Sequence, residues 1–377
     1  MSGMPVRVAI VGAGIGGAHA AAMQQQKDVE VVALCARTRD RAEKLATRYG
    51  IPAIYTDYQD LLTAEHPDLV VVATPNDLHY AVTLAALDSG AHVACEKPLA
   101  LSVEHAREME RRADQNNRRH FVPFVLRYLP AAAYVKEILD TGFIGEPYLI
   151  NTRCWTAADR NEQMHWHFDR AQAGAGAIAN IGSHVIHLID WWLGGITRVC
   201  GKLTTAVENR AWPDGTAFAV DVDDTASFVA QLANGAPAVF AVSMVTHVQL
   251  CEISIEIFGS DGAITFTDDW GAPDAWTGRV EAIRRDEHSR TRVPIPERLI
   301  GEFHTAPDSD SPFRANFARM ATEWTNCIRG EDVKTATFRD GVRVQEVMDA
   351  VAVSSAEERW VEVAYAAASA RPDGSNE

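Results

Sequence analysis

The sequence contains no long uninterrupted apolar run. Of its 377 residues 47% are apolar, yet no window approaches the roughly 18 apolar residues that a membrane-spanning helix requires. The opening segment, MSGMPVRVAIVGAG, has one arginine, no cleavage-site pattern, and glycines where the apolar core of a signal peptide would continue. We therefore expect no export signal, no membrane partner and a cytoplasmic location.

Paired cysteines and a surplus of basic residues are also lacking. The six cysteines lie far apart without a C-x-x-C pair, which fits buried free thiols in a reducing compartment. Lysine and arginine total 35 against 51 acidic residues, so the formal net charge is -16. Because nucleic acids and anionic membranes attract basic surfaces, neither is an expected partner.

The first third of the sequence alternates apolar runs with helix-like segments. Continuous apolar runs are typical of parallel strands that helices cover on both faces. Here they span residues 6–11, 29–34, 69–73, 92–95 and 121–125. Helical spacing between them covers residues 38–49, 77–89 and 102–116. This rhythm predicts an α/β fold with a doubly wound Rossmann sheet in a dinucleotide-binding domain, residues 1–127.

After residue 127 the pattern changes to strands in succession. Asn234-Gly235 and Asp261-Gly262 separate consecutive runs and are strong hairpin signals, because these residue types accept positive φ. We expect an α+β domain over residues 128–363, with a large, mostly antiparallel open sheet that has helices on one face. The predicted strands span residues 147–155, 197–207, 225–232, 238–246, 252–258, 263–266 and 279–284.

Two further helices are predicted near the C-terminus. One begins at Ser311-Pro312, with Ser as N-cap and Pro at the first helical position, and runs to about residue 329. The other covers residues 341–356, and the small, polar residues 364–377 predict a disordered tail.

A glycine-rich turn joins the first strand to the first helix. Its G-x-G-x-x-G spacing suits a pyrophosphate, because the glycines allow a tight turn, close backbone approach and close helix–strand packing, while the helix N-terminus meets the anion. A bland tight turn is the alternative, but the βαβ context favours dinucleotide binding. The candidate cofactor contacts here are Gly12, Gly14, Ile15 and Gly17.

The end of the second strand discriminates between cofactors. NAD enzymes usually place a carboxylate there for the ribose hydroxyls, whereas this sequence has Ala36 and then Arg37. An arginine suits the 2'-phosphate of NADP, so NADP is favoured and NAD stays possible. Alternatively, Arg37 only begins a solvated helix, and Asp40 approaches the ribose instead.

A lysine follows the fifth predicted strand, in HVACEKPLA. Strand ends line the ligand crevice of an open α/β sheet, so Lys97 is expected to face the nicotinamide and to hydrogen-bond the substrate oxygen. The alternative is a surface lysine that pairs with Glu96.

Four motifs in order resemble the Gfo/Idh/MocA family of NAD(P)-dependent oxidoreductases: the glycine turn, TPNDLH at 74–79, EKP at 96–98 and GSHVIHLIDWWLG at 182–194. The likeness continues through FRDGVRVQEVMDAV near the C-terminus. It implies chemistry on sugars or polyols and an open sheet that mediates oligomerisation. It also implies a catalytic role for Lys97 and cofactor roles for Thr74, Pro75, Asn76, His79, Glu96 and Lys97 itself.

The family pattern D-x-G-x-H matches His184 but not its aspartate, which is Asn180 here. Histidine titrates in the range that alcohol oxidation needs, so His184 is the expected acid/base. Asn180 can orient the substrate or the imidazole but cannot accept a proton, or it is the helix N-cap. Both residues are candidate catalytic and substrate-binding groups.

The other histidines leave a metal site as a minor alternative. His165 and His167 share one side of an extended segment, while His184 and His187 are a helical turn apart, so the four could meet around zinc. A nicotinamide enzyme of this type needs no metal, and none is expected. His187 is better explained as a packed residue.

Further substrate candidates flank the predicted helix. They are Arg127 at the domain junction, with an interdomain salt bridge as its alternative, and Trp166 and His167, with core packing as the alternative for Trp166. The combined prediction is an oxidoreductase that moves a hydride between NADP, or NAD, and a secondary ring hydroxyl or ketone of a sugar, glycoside or cyclitol. Rival predictions are a redox-cycling lyase or glycosidase, and a non-catalytic NADP-sensing regulator. The open sheet predicts a homodimer or homotetramer.

Overall fold

A computed structural model describes residues 4–365, apart from residues 158, 160, 162, 249, 273, 274, 276 and 302–313. The predicted helix start at Ser311-Pro312 and residues 366–377 of the predicted tail lie outside this part of the chain. In the described part, no helix is both long and apolar enough to cross a bilayer.

The N-terminal third of the chain forms a six-stranded parallel sheet. Its strands have the order β3-β2-β1-β4-β5-β6. Alternate residues of β1 enter two different apolar cores, Val8 and Ile10 one and Ala9 and Val11 the other, so helices cover both faces. The strands are β1 Val6–Val11, β2 Val29–Cys35, β3 Ala53–Tyr55, β4 Leu69–Val72, β5 His92–Cys95 and β6 His120–Phe121.

Five helices connect these strands: α1 Gly16–Gln24, α2 Arg39–Tyr49, α3 Tyr58–Glu65, α4 His79–Asp88 and α5 Val103–Gln115. The predicted Rossmann-type sheet is confirmed. Strand β3 and helix α3 were not predicted from the sequence; the three residues of β3 are all half-buried and carry little apolar signal. The strand expected at 121–125 is wrong beyond Phe121. Pro123 has no N–H to donate to a ladder, and Val125–Tyr128 form a short 3-10 helix instead.

The second sheet has nine strands in the order β16-β15-β14-β13-β7-β12-β11-β8-β17. Its ladders are antiparallel except for the parallel pair of β12 and β7, so the mostly antiparallel prediction is confirmed. A separate two-stranded sheet pairs β9 with β10. The strands are β7 Pro147–Thr156, β8 Ile196–Thr204, β9 Asn209–Ala211, β10 Ala217–Ala219, β11 Thr225–Leu232, β12 Pro237–Ser243, β13 Cys251–Gly259, β14 Gly262–Asp269, β15 Arg279–Arg284, β16 Thr291–Arg292 and β17 Val361–Glu362.

One face of this sheet is packed and the other is partly open. Along β11 and β13 buried residues alternate with more exposed ones, as expected for a sheet with a single covered face. Helices pack on the covered face, with α11 against β8. The remaining helices are α6 Pro130–Asp140, α7 Arg170–Ala173, α8 Ser183–Leu193, α9 Glu297–Ile300, α10 Arg314–Ile328 and α11 Phe338–Glu357.

Helix α10 comes late in the sequence but packs on the N-terminal sheet. It lies against α1, and Phe317, Met320 and Trp324 join Val8 and Ile10 in one apolar core. Trp324 is fully buried there. The first sheet is therefore completed by a segment that follows most of the second one.

Candidate functional site

The carboxyl ends of β1, β4 and β5 meet at one edge of the parallel sheet. They bring the glycine turn, the TPNDLH segment and the EKP segment together there, as the order of the strands requires. Such an edge is where open α/β sheets bind ligands.

The glycine turn leaves room for a ligand to approach the backbone. Gly12 has φ +119°, and a Cβ on it would lie 2.1 Å from the carbonyl oxygen of Ala73. A Cβ on Gly14 would meet nothing within 4 Å, whereas one on Gly17 would lie 3.1 Å from a methyl group of Leu45. The turn thus combines a strained bend, an open side and a tight helix contact. Helix α1 begins directly after the half-exposed Ile15, so its N-terminus points to the same edge.

At the end of β2, Ala36 is buried and Arg37 is exposed. The N–H of Ala36 donates to the carbonyl of Tyr55, which fixes the strand end. Asp40 is exposed in the first turn of α2. The structure therefore leaves the Arg37 guanidinium and the Asp40 carboxylate accessible shortly after the end of β2.

The polar residues after β4 brace neighbouring segments. Nδ2 of Asn76 donates to the carbonyl of Ala173 at 3.0 Å, which links this strand end to α7. His79 is fully buried, with Nδ1 2.9 Å from the carbonyl oxygen of Pro98 and Nε2 3.1 Å from that of Thr74. Burial lowers the pKa of His79. The ring thus ties the strand end to the EKP segment, a role that sequence reasoning did not foresee.

Glu96 forms a buried pair that the sequence analysis missed. Its Oε1 lies 2.8 Å from Nε2 of His19 on α1, and its Oε2 accepts the backbone N–H of Lys97 at 3.1 Å. The predicted alternative, a surface Glu96–Lys97 pair, is wrong, because Glu96 is buried and its carboxylate turns to the histidine. The signal was present: His19 lies on the first helix, two residues after the glycine motif.

Lys97 points away from Glu96 to Asn180. Its Nζ donates to the backbone carbonyl of Asn180 at 2.7 Å and to its Oδ1 at 3.1 Å. Burial lowers the pKa of Lys97, while Glu96 acts in the opposite direction. The ammonium is therefore bound by two neutral oxygens of one residue.

Asn180 lies in a π-helical turn, Ile178–Gly182, that runs directly into α8. The alternative prediction that it is the helix N-cap is wrong, because the start of this turn is held by Asp223. That buried carboxylate accepts the N–H groups of Gly176 and Ile178 at 2.8 Å each. π-turns displace the backbone pattern by one residue and often occur at functional sites. Here Ser183 Oγ donates a hydrogen bond to the carbonyl oxygen of Ala179 at 2.7 Å.

His184 and His187 project from α8 toward Phe124. The His184 ring is edge-on to Phe124 at 6.2 Å, and the His187 ring is stacked on it at 4.2 Å. Burial, and then the charge of Lys97, lower the pKa of His184 well below its usual value. Burial lowers the pKa of His187 to about 3. Within the described residues, Nδ1 of His184 and both ring nitrogens of His187 have no hydrogen-bond partner.

The HWH segment lies between β7 and α7. The rings of Trp166 and His167 are stacked with centroids 3.7 Å apart. Nδ1 of His167 lies 3.1 Å from Nδ1 of His165, whose Nε2 lies 2.6 Å from Oδ1 of Asp159. The charge of Lys97 is among the causes that lower the pKa of His167 to about 3, after burial and His165. This segment therefore lies within electrostatic range of the lysine.

Arg127 lies against the far end of α8. Its guanidinium lies over the ring of Trp191 at 4.2 Å and donates to the carbonyl of Lys334 at 3.0 Å. These contacts are to a ring and a carbonyl, and the charge of Arg127 also acts on the carboxyl group of Glu323, whose pKa it lowers against the effect of burial.

The four histidines of the metal alternative are not grouped as a ligand set in the structure. Across the part of the chain that the structure describes, which includes all four histidines in question, no three His, Cys, Asp or Glu side chains are grouped to hold an ion. The six cysteines are all free.

Comparison with known proteins matches two consecutive regions of the chain. A family model described as an oxidoreductase family with an NAD-binding Rossmann fold matches residues 6–124, and a GFO/IDH/MocA C-terminal domain matches residues 132–265. Levoglucosan dehydrogenase of Pseudarthrobacter phenanthrenivorans is 29% identical over 343 residues, 85% of this chain and 86% of that protein. D-glucoside 3-dehydrogenase of Escherichia coli is 35% identical over 198 residues, 52% of this chain and 56% of that protein. A solved structure of levoglucosan dehydrogenase with NADH and levoglucosan has a TM-score of 0.86 and 25% identity, covering 96% of this chain and 100% of that one.

Proposed function

This chain belongs to the Gfo/Idh/MocA family of oxidoreductases, and on that premise we propose that it transfers a hydride between a nicotinamide cofactor and a secondary ring hydroxyl of a sugar, glycoside or cyclitol. The observation that carries the proposal is the position of Lys97. Its Nζ is held by Asn180, one turn of helix before His184, at the edge where β1, β4 and β5 end.

The two groups have complementary tasks in the oxidation direction. As the hydroxyl proton leaves, negative charge develops on the substrate oxygen, and the Lys97 ammonium stabilises that charge by a hydrogen bond until loss of the hydride turns the alkoxide into a carbonyl. The hydroxyl proton passes to the imidazole of His184, which is uncharged because burial lowers its pKa. Asn180 orients the lysine. The bound nicotinamide supplies the hydride acceptor.

The residues at the sheet edge fit a dinucleotide. The space that a Cβ on Gly14 would enter is open, and Gly12 bends the chain where no side chain fits. The helix N-terminus after Ile15 offers N–H groups to the pyrophosphate. Thr74, Pro75 and Glu96 complete the proposed cofactor-binding surface. The side chains of Asn76 and His79 support this surface through their contacts with backbone carbonyls.

The cofactor proposed is NADP rather than NAD. The exposed Arg37 supplies a cation for the 2'-phosphate, and Ala36 places no carboxylate beside it. Arg37 is preferred to Asp40 as the discriminating group because it lies closer to the end of β2.

The substrate is proposed to bind between the lysine and the HWH segment, with contacts from Trp166, His167, Asn180 and His184. Arg127 is proposed to act from the other end of α8, through Trp191. The open face of the nine-stranded sheet is proposed to join two or four copies of the chain, because it exposes apolar side chains of neighbouring strands: Leu149, Val229 and Val239.

The test is to follow nicotinamide absorbance with NADP and NAD against a panel of sugars, glycosides and inositols, with Lys97→Met as the inactive control. We expect the amount of reduced cofactor to rise in proportion to the amount of substrate added, for one class of ring compound. Cleavage of a glycoside without net cofactor reduction would overturn the proposal in favour of a redox-cycling lyase. Tight cofactor binding without turnover across the panel would overturn it in favour of a regulator.

A further inference from the structure

Three side chains between β7 and α7 form a hydrogen-bonded row. Oδ1 of Asp159 lies 2.6 Å from Nε2 of His165, and Nδ1 of His165 lies 3.1 Å from Nδ1 of His167. The side chain of Asp159 is 13% exposed and that of His165 is 36% exposed. We call these residues the Asp–His–His row. It begins at a carboxylate and ends at a ring within electrostatic range of Lys97.

The carboxylate determines where the ring protons lie. An ionised Asp159 only accepts, so Nε2 of His165 donates to it. In the neutral form of His165, Nδ1 is then the acceptor, and Nδ1 of His167 must donate. Neutral His167 carries its single proton on Nδ1, so its lone pair is on Nε2. With His165 neutral, one acidic residue thereby selects the tautomer of two successive rings.

Neighbouring contacts hold the row in place. The side chain of Arg210, which is 2% exposed, donates to the backbone carbonyl of Asp159 at 2.9 Å and lies over the ring of Phe168 at 3.6 Å. On the other side, the Trp166 ring covers that of His167. A ring that is stacked and hydrogen-bonded in this way has little freedom to turn its other nitrogen elsewhere.

The Asp–His–His row can supply a hydrogen-bond acceptor, which the lysine cannot. Nζ of Lys97 can only donate, and both oxygens of Asn180 accept hydrogen bonds from it. A sugar hydroxyl both donates and accepts, so a site for it needs an acceptor as well. The low pKa of His167, about 3, keeps a ring nitrogen unprotonated at neutral pH, so its Nε2 can accept from a hydroxyl other than the one that His184 deprotonates.

We propose that the Asp–His–His row presents Nε2 of His167 as a hydrogen-bond acceptor for a hydroxyl of the carbohydrate, with Asp159 and His165 as positioning residues. The inference rests on the function proposed above, since it takes a hydroxylated ring as the ligand. A site built to pair with a hydroxyl discriminates strongly against an analogue that lacks it, because the protein group is left unpaired. The row thus selects substrates with a free hydroxyl close to the reacting one.

The kinetic test compares Asp159→Leu with wild type on the active sugar and on its monodeoxy analogues. We expect KM for the sugar to rise about tenfold, with little change in KM for the cofactor, and the preference for the sugar over one deoxy analogue to fall toward unity. Asp159→Glu restores part of that preference. Asn161→Ala is the matched control, because Asn161 lies in the same segment but accepts from the N–H of Gln163 instead. An unchanged preference in Asp159→Leu would overturn the proposal.

A second measurement does not depend on turnover. In protein labelled with ¹⁵N-histidine, the ring nitrogens of His167 report its tautomer, and we expect a proton on Nδ1 in wild type and its loss from Nδ1 in part of the population in Asp159→Leu. A proton on Nε2 in wild type would overturn the inference even if the enzyme oxidises sugars. The expected tautomer together with no turnover of any ring substrate would instead overturn the proposed function and, with it, the ligand assigned to the row.

Discussion

Lys97 donates from one nitrogen to two oxygens of Asn180, the backbone carbonyl at 2.7 Å and Oδ1 at 3.1 Å. Both acceptors are neutral. The ammonium is therefore positioned by geometry without a carboxylate at this contact, and burial lowers the pKa of Lys97 against the opposing effect of Glu96. An aspartate at position 180 would add a negative charge at hydrogen-bond distance, so the identity of this residue contributes to the proton affinity of the lysine, together with burial and Glu96.

Asn180→Asp is expected to keep the enzyme active and to change its pH dependence. A carboxylate beside the ammonium favours the charged form, so the pKa of Lys97 rises. Because the protonated lysine is the active form in the oxidation direction, activity persists to higher pH than in wild type. The measurement is the pH profile of kcat/KM, and a profile that superimposes on that of wild type would contradict the charge argument.

His184→Gln is expected to lower kcat by about 10²- to 10⁴-fold, the range usual for loss of a general acid/base. Affinity for the cofactor should be unchanged, since His184 lies on α8 and not on the glycine turn. Steady-state kinetics and a cofactor titration measure the two effects. His288→Gln, at an exposed histidine, is the control. Undiminished turnover in His184→Gln would remove the proposed acid/base.

Arg37→Ala is expected to weaken NADP use selectively. Loss of a charge-assisted contact to the 2'-phosphate costs about 1.5–3 kcal/mol in kcat/KM for NADP, and kcat/KM for NAD should stay the same. Arg39→Ala is the matched control, because Arg39 is exposed nearby and paired with Glu43 at 3.0 Å. Equal losses with both cofactors would point to a structural role for Arg37.

His187→Phe is expected to make stability less sensitive to acid. Burial lowers the pKa of His187 to about 3 in the folded chain, so below the ordinary histidine value of about 6.5 the unfolded chain binds the proton more tightly. Each pH unit below that value then costs the wild type about 1.4 kcal/mol at this residue. Phenylalanine keeps the stack on Phe124 without titrating.

Urea unfolding of wild type and His187→Phe at pH 7 and pH 5 measures this difference. The free energy of unfolding should fall by about 2 kcal/mol less in the variant. Parallel losses in the two proteins would show that His187 is protonated in the folded state.

Val229→Asp is expected to dissociate the proposed oligomer. Val229 and Val239 lie directly opposite each other on β11 and β12, and each is 38% exposed on the open sheet face. A charge in an apolar interface is costly to desolvate, so sedimentation should show a smaller species with unchanged secondary structure. Val353→Asp, at a 39% exposed valine on α11, is the matched control. A monomeric wild type would contradict the proposed interface.

The sequence predicted what local patterns encode. Apolar periodicity placed β1, β5, β11 and β15 at their observed bounds, and the order of motifs along the chain predicted that the glycine turn and Lys97 share one sheet edge. These features depend on neighbours in sequence or on the regular order of βαβ units, so a single chain is sufficient to infer them.

The features of the site that the sequence did not predict depend on contacts between segments that are distant along the chain. Asp223 holds the start of the π-turn from 45 residues away, and His19 meets Glu96 across 77 residues. Neither partner has a local signature, because an aspartate before a strand or a histidine on a helix is compatible with many surroundings. Asp159 acquires its importance only when the backbone turns it toward His165.

Helix α10 covers part of the first sheet but is synthesised much later than that sheet. Residues 1–127 leave the ribosome long before Phe317 and Trp324, which cover α1 and the core around Val8, so the first sheet has an uncovered apolar surface until the second sheet has been synthesised. The nucleotide-binding half is therefore not a freely exchangeable module. A chimera that keeps residues 1–127 and replaces everything after them must supply its own equivalent of Trp324.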